Sequence, residues 1–162
     1  MKGFKKILFP VDFSEVSPMI VPWVITMVDK FKSELHLIFV VRSLLPLTSF
    51  DVTETSIISF EGEILKAGEK SMDEFVKKHF KKYPACKAHV LTGDPAEEIL
   101  NYVNNENIDL VIMGTHGRKG LDRVLFGSVA AHVIKESSAP VMSINPYRLS
   151  LDKNKRHDNQ ED

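Results

Sequence analysis

Four short runs in this chain are almost wholly apolar, and that pattern leaves few folds open. Lys6 to Val11, Leu35 to Val41, Asp109 to Gly114 and Pro140 to Ile144 are built of β-branched and aliphatic residues with no polar alternation. A half-exposed strand alternates; one that is apolar throughout is covered on both faces, as a parallel strand between helices is. A weaker fifth run, Lys87 to Thr92, alternates as a strand nearer a sheet edge does. With 162 residues, 43% of them hydrophobic, the chain has the material for one such domain and its core.

Helical patterns fill the intervals. The clearest starts at Asp94, whose carboxylate can cap free amides, with Pro95 in the first turn and Glu97 completing a capping box. Ile99, Leu100 and Val103 form its buried face. A longer helix is predicted over Ile57 to Phe80, where Ile57, Phe60, Ile64, Gly68, Met72, Phe75 and His79 recur at helical steps as a core stripe. Val129 to Lys135 gives the last helix and Pro18 to Phe31 the first; Pro22 within it predicts a late start or a kink. Strand and helix alternate throughout, which implies right-handed crossovers and a five-stranded parallel sheet. Ser43 to Thr55 reads as a long loop. The domain is expected to span 1–147, with the charged segment 148–162 a frayed tail.

Several function classes drop out on composition. Twenty-one basic against 22 acidic residues are too balanced to hold a nucleic acid backbone, and no apolar run approaches the ~20 residues of a membrane span. A lone Cys86 permits no intrachain disulfide and suits the cytoplasm, where it is expected as small filler near a strand start. None of the six histidines has a zinc-type spacing, so no protein-built metal site is expected. Gly-x-Ser-x-Gly is absent, and nucleophilic catalysis has no support.

The loop after the fourth run carries the chemistry. Gly114-Thr-His-Gly117-Arg-Lys-Gly120-Leu-Asp-Arg-Val-Leu-Phe-Gly127-Ser128 places four glycines within fourteen residues, between a strand and a helix. Glycines let backbone amides approach a ligand closely, and a helix start with its unpaired amides attracts an anion. A phosphate is the ligand that suits both; Arg118, Lys119 and Arg123 add positive charge. The spacing matches neither a P-loop nor a dinucleotide fingerprint. The plainer alternative is a chain turn followed by an ordinary helix cap.

Gly114, Gly117, Gly127 and Ser128 stand as Gly-x2-Gly-x9-Gly-Ser, which resembles the ATP-binding motif of universal stress proteins. Ile7-Leu-Phe-Pro-Val-Asp-Phe-Ser14, Gly93-Asp-Pro-Ala96 and Ser138-Ala-Pro-Val141 resemble that family too. The resemblance implies a three-layer α/β/α, Rossmann-like fold of the adenine nucleotide alpha hydrolase type, with sheet order 3-2-1-4-5. Ligands in open α/β sheets bind where the strand order reverses, here between the first and fourth strands. By the same resemblance Pro10, Val11, Asp12 and Val40 wall the adenine and ribose, and Met113 and Gly114 approach them. Gly117, Arg118, Gly127, Ser128 and Val129 surround the phosphates. The expected ligand is ATP, with AMP or ADP as alternatives and magnesium or manganese carried on the phosphates.

The implied function is a nucleotide-dependent stress-response or signalling module. The alternatives are a slow ATP hydrolase or nucleotide-handling enzyme in the same pocket, and a nucleotide-free interaction protein. Hydrolysis needs a residue that positions water in line, and none is evident. Pro140 at the start of the last strand suggests an edge, and the family implies a homodimer through Val141 to Ile144.

Overall fold

The structure, a computed structural model, describes residues 3–43, 54–115 and 127–146, with the backbone alone for 54–57. Five strands, β1 (Lys6–Pro10), β2 (Glu34–Arg42), β3 (Lys87–Gly93), β4 (Leu110–Gly114) and β5 (Val141–Ile144), alternate with four helices. The helices are α1 (Val16–Phe31), α2 (Glu54–His79), α3 (Pro95–Glu106) and α4 (Ser128–Glu136). All neighbouring strands pair in parallel, in the order β3-β2-β1-β4-β5. The fold is therefore the expected one.

The apolar runs occupy the middle of a sandwich. Ile7 and Phe9 of β1 face one core with Val16, Ile20, Val24 and Val28 of α1 and Met72 and Phe75 of α2. Leu8 faces the other, with Ile99 and Val103 of α3 and Ala130 and Val133 of α4. Ile7, Leu8 and Phe9 are fully buried, and each such side chain contributes roughly 1.5–3 kcal/mol. α1 and α2 thus cover one face and α3 and α4 the other. The crossovers from β1 and β4 consequently leave the sheet on opposite faces, opening a crevice at the carboxyl ends of those adjacent strands.

Boundaries differ from expectation where side chains act on the backbone. Asp109 is not a strand residue: its Oδ2 accepts from the amides of Lys5 and Lys6 at 2.9 and 3.0 Å, tying the start of β1 to β4. α1 does not start late. It begins at Val16, whose amide donates to Ser14 Oγ at 3.3 Å. Pro18 then falls in the first turn, where its missing N–H had no helical partner. Pro22 removes one interior bond, to the Pro18 carbonyl, on an exposed face where water can take that group.

α2 begins at Glu54, so the expected loop is shorter than Ser43–Thr55; its residues 44–53 lie outside the described ones, as does the tail 148–162. The core stripe of α2 is also shorter than its periodicity. Gly68, Met72 and Phe75 are buried, whereas Phe60, about two turns before Gly68, is 53% exposed. Gly68 is where α2 touches down: a Cβ there would stand 3.1 Å from the Phe39 ring and 3.3 Å from Val90.

Candidate functional site

At the end of β1, Pro10 is half-buried and the Val11 amide donates to the Ile38 carbonyl at 2.9 Å, prolonging the pairing with β2. The Val11 side chain belongs to the core under α1 and α2, so its backbone is what it offers to the crevice. Asp12 follows as a hub. Its Oδ1 accepts from the Ser14 amide at 3.0 Å, Ser14 Oγ at 2.6 Å and Ser17 Oγ at 2.8 Å, while its own amide donates to Ser17 Oγ at 3.3 Å. Between these residues Phe13 has φ 55, a left-handed conformation unusual for a bulky side chain. Ring contacts to Phe39 at 4.6 Å and Phe75 at 5.9 Å hold it there. The sharp turn thus fixes a carboxylate at the rim of the crevice.

The opposing wall comes from β4 and α4. Met113 is buried in the second core, and half-buried Gly114 pairs in register with Ile144. Thr115, 5% exposed, donates its amide to the Ile144 carbonyl at 2.9 Å, and its carbonyl accepts from the Gly127 amide at 2.7 Å. That last bond brings the two ends of the glycine loop together. Gly117 and Arg118, with His116, lie outside the described residues.

Gly127 caps α4 with no side-chain bond, and exposed Ser128 and half-buried Val129 open the helix. Among the described residues no side chain caps the first-turn amides, and the helix dipole adds roughly half a positive charge there, which together favour an anion. Gly127 has φ −65 and ψ 158, and an added Cβ would lie 3.6 Å from the Thr115 carbonyl, an ordinary contact. Among the described residues neither backbone conformation nor packing requires glycine there, although glycine is a favoured residue at a helix N-cap. Val40, near the end of β2, is half-buried and pairs with Leu91.

The structure therefore gathers Pro10, Val11, Asp12, Met113, Gly114, Gly127, Ser128 and Val129 at the carboxyl ends of β1 and β4, with Val40 one strand over. Asp12 stands at the end of β1 and the amide-bearing start of α4 follows the end of the adjacent β4; a carboxylate suits a hydroxyl and helix-start amides suit a phosphate. Sequence reading missed Ser14, Ser17 and Thr115. A serine two residues after an aspartate is a turn signal that points to the first of these.

Other reactive groups lie elsewhere. His36, fully buried in β2, presents Nε2 to Glu34 Oε1 at 2.6 Å and Nδ1 to Tyr102 Oη at 2.9 Å. The carboxylate can only accept, so Nε2 carries the proton and the tyrosine hydroxyl donates to Nδ1. Burial holds the imidazole below its ordinary pKa despite Glu34, and Lys87 Nζ closes the chain on Glu34 at 2.8 Å. This network sits at the amino end of β2, opposite the crevice. Cys86 packs against the first core, and burial pushes its thiol up to about 12. Among the described residues no three His, Cys, Asp or Glu side chains come together as metal ligands.

The fold has known counterparts. The sequence model of the universal stress protein family matches residues 3–145. Universal stress protein MJ0531 of Methanocaldococcus jannaschii is 35% identical over 147 residues, covering 87% of this chain and 82% of its own. The solved structure of MJ0577, from the same organism, superposes with a TM-score of 0.76 at 29% identity, covering 89% of this chain and 97% of that one. A universal stress protein family structure from Arabidopsis thaliana with AMP bound has a TM-score of 0.60 at 21% identity, covering 87% and 91% of the two chains. With 143 consecutive residues under the family model and the sheet order seen here, this chain belongs to the universal stress protein family.

Proposed function

We propose that the chain binds an adenine nucleotide, ATP foremost, in the crevice between β1 and β4, and acts as a nucleotide-dependent module in stress response or signalling. The observation that carries this reading is Gly127: a glycine at a helix start that, among the described residues, neither conformation nor packing requires, beside amides that no described side chain caps. Phosphates sit against Gly117, Arg118, Gly127, Ser128 and Val129, with Gly114 beside the base and ribose. Asp12 receives the ribose hydroxyls, and Pro10, Val40 and the backbone of Val11 and Met113 flank the base. The AMP bound by the Arabidopsis relative supports the adenine. A magnesium or manganese ion is carried by phosphate oxygens and water, since the described residues gather no ligand set of their own.

The site is a binding site and not a catalytic one. Asp12 Oδ1 already accepts three hydrogen bonds, which suits an anchored carboxylate better than a base that moves a proton. The compartment proposed is the cytoplasm, in keeping with the single, half-buried thiol. No helix among the described residues is long and apolar enough to cross a membrane. The chain works as a homodimer joined through Val141–Ile144, the edge strand of the sheet.

Titration calorimetry with ATP, AMP and GTP, each with magnesium, tests the reading. The expected result is one site per chain that prefers adenine, with no phosphate released over hours. Absence of binding at millimolar ATP overturns it, and steady phosphate release that Asp12→Ala abolishes replaces it with the hydrolase alternative.

A further inference from the structure

The end of α2 and the turn into β3 lie at the amino end of the sheet, opposite the nucleotide crevice, and their charge is of one sign. From Phe75 to Thr92 there are five lysines, Lys77, Lys78, Lys81, Lys82 and Lys87, and no acid, in a chain whose formal net charge is −1. All five are exposed. Lys87 pairs with Glu34 at 2.8 Å, but Lys77, Lys78, Lys81 and Lys82 form no salt bridge among the described residues, although Asp73 and Glu74 lie one turn back on α2. The helix dipole accounts for Lys77 and Lys78, in the last turn of α2. It does not account for Lys81 and Lys82, which lie past the helix end.

Between these lysines the surface is hollow and apolar. A cleft of about 450 Å³ lies where α2 ends, walled by Val76, Phe80 and Pro84, with Tyr83 and Cys86 beside them. Exposed Lys77 and Lys81 complete its lining. That volume falls within the roughly 300–1,000 Å³ of ligand clefts. Backbone bonds build the walls: the amides of Phe80, Tyr83 and Cys86 donate to the carbonyls of Val76, Phe80 and Tyr83 at 2.8, 2.8 and 3.0 Å, folding the chain in successive turns. Phe80, 1% exposed, packs into the first core. Tyr83 Oη donates to Asp29 Oδ1 at 2.8 Å, which fastens the turn to the end of α1. The cleft is thereby formed before anything enters it.

We propose that this cleft and its lysines are a docking site for an acidic peptide segment of a partner protein, its carboxylates against Lys77, Lys78, Lys81 and Lys82 and one apolar side chain seated between Val76, Phe80 and Pro84. The site stands apart from the nucleotide reading. Charge complementarity gives the sign of the partner, and the spread of the lysines gives its extent. A small monoanion engages one or two cations, whereas four, divided between the last turn of α2 and the turn beyond it, match a run of carboxylates. Shape then separates the polyanions. Single-stranded nucleic acid stacks its bases on exposed rings, and here the Phe80 ring is buried and the Tyr83 hydroxyl is tied down. A bilayer takes apolar side chains that protrude; this surface has a hollow instead, and none of the strongly exposed apolar residues, Met19, Trp23, Ile58, Phe60 and Ile134, belongs to it.

Fluorescence anisotropy of a labelled short peptide, Glu and Asp around one central Phe, titrated with the full chain tests this. The expected dissociation constant is about 1–100 μM at low salt, rising as salt is added. Lys77→Glu with Lys81→Glu is expected to weaken binding about tenfold or more. Lys66→Glu with Lys70→Glu, exposed lysines farther back on α2 that change the net charge equally, leaves it nearly unchanged. Replacing the peptide's Phe by Ser also weakens binding about tenfold, as loss of a seated anchor does. Amide shifts in the wild-type chain, which need no variant, are expected from Val76 to Cys86 and absent at Asp12 and Gly127. Failure to bind at about 500 μM, equal damage from the two lysine pairs, or indifference to loss of the Phe overturns the site. Tighter binding of a labelled oligothymidylate or of phosphatidylserine vesicles overturns the peptide as its occupant.

Discussion

Asp12 does two jobs that mutation can separate. As an ionised acceptor of three hydrogen bonds it anchors the start of α1, and its removal is expected to cost about 2–3 kcal/mol. Ser17→Ala removes one of those bonds while keeping the carboxylate, so it is expected to lower stability by about 1 kcal/mol and leave nucleotide affinity nearly intact. Asp12→Ala lowers both. Gly127→Ala is the complementary case: with φ −65 and room for a methyl, it costs no more than the loss of a glycine N-cap, about 1 kcal/mol, but weakens nucleotide binding by more than that loss explains. Denaturant titrations paired with calorimetry distinguish these outcomes, and an unaltered affinity in Gly127→Ala counts against close approach of a phosphate. His36 sets a pH dependence of another kind. Burial lowers the folded pKa of both His36 and half-buried His79, so the unfolded chain takes up protons first, below about pH 6.5. Stability is therefore full above that pH and falls as the solution is acidified. Unfolding measured between about pH 5 and 8 should show this slope, and His36→Gln should flatten it while lowering stability overall.

Among the elements, α3 was the most legible and shows why. Asp94 Oδ1 accepts from the amides of Ala96 and Glu97 at 3.0 and 3.3 Å, as a short polar side chain before Pro95 predicts. The Glu97 carboxylate makes no return bond among the described residues, so the capping box is half built. Asp94→Ala is expected to cost about 1 kcal/mol, and Gly93→Ala about 1–3 kcal/mol because φ 155 strains any side chain; thermal melts of both variants check the order. The start of α1 was misjudged because proline rules point to Pro18, whereas Ser14 Oγ and the Asp12 hub support an earlier turn through contacts that periodicity does not register. The stripe of α2 overran its buried part for a similar reason. A helix longer than the sheet it crosses keeps its apolar spacing past the last strand, and Ile58 and Phe60 are 57% and 53% exposed. His36 was hidden in an otherwise apolar run because its partners, Glu34 and Tyr102, meet it only once β2 and α3 pack together.

At the scale of the molecule, unbroken apolar runs alternating with helical stripes were enough to specify a parallel sheet, and resemblance supplied the strand order that the structure has. The end of that sheet proposed to hold the site is the one the topology marks: the order reverses between β1 and β4, and the crossovers to α1 and α4 part there. What sequence could not convey was the division of labour at the rim, where Val11 and Met113 bury their side chains and offer backbone while Asp12 stands as a fixed carboxylate. The same layout ties α1, with its exposed Trp23, to the crevice through the Asp12–Ser17 bond.

The most direct measurement is an amide nitrogen–proton correlation spectrum of the labelled chain titrated with magnesium ATP. Shifts are expected at Val11, Asp12, Met113 to Thr115 and Gly127 to Val129, saturating together, while Glu34, Lys87 and Tyr102 at the far end stay still. Saturating ATP that leaves the β1 and β4 ends unmoved, or that moves the opposite end of the sheet instead, contradicts the account.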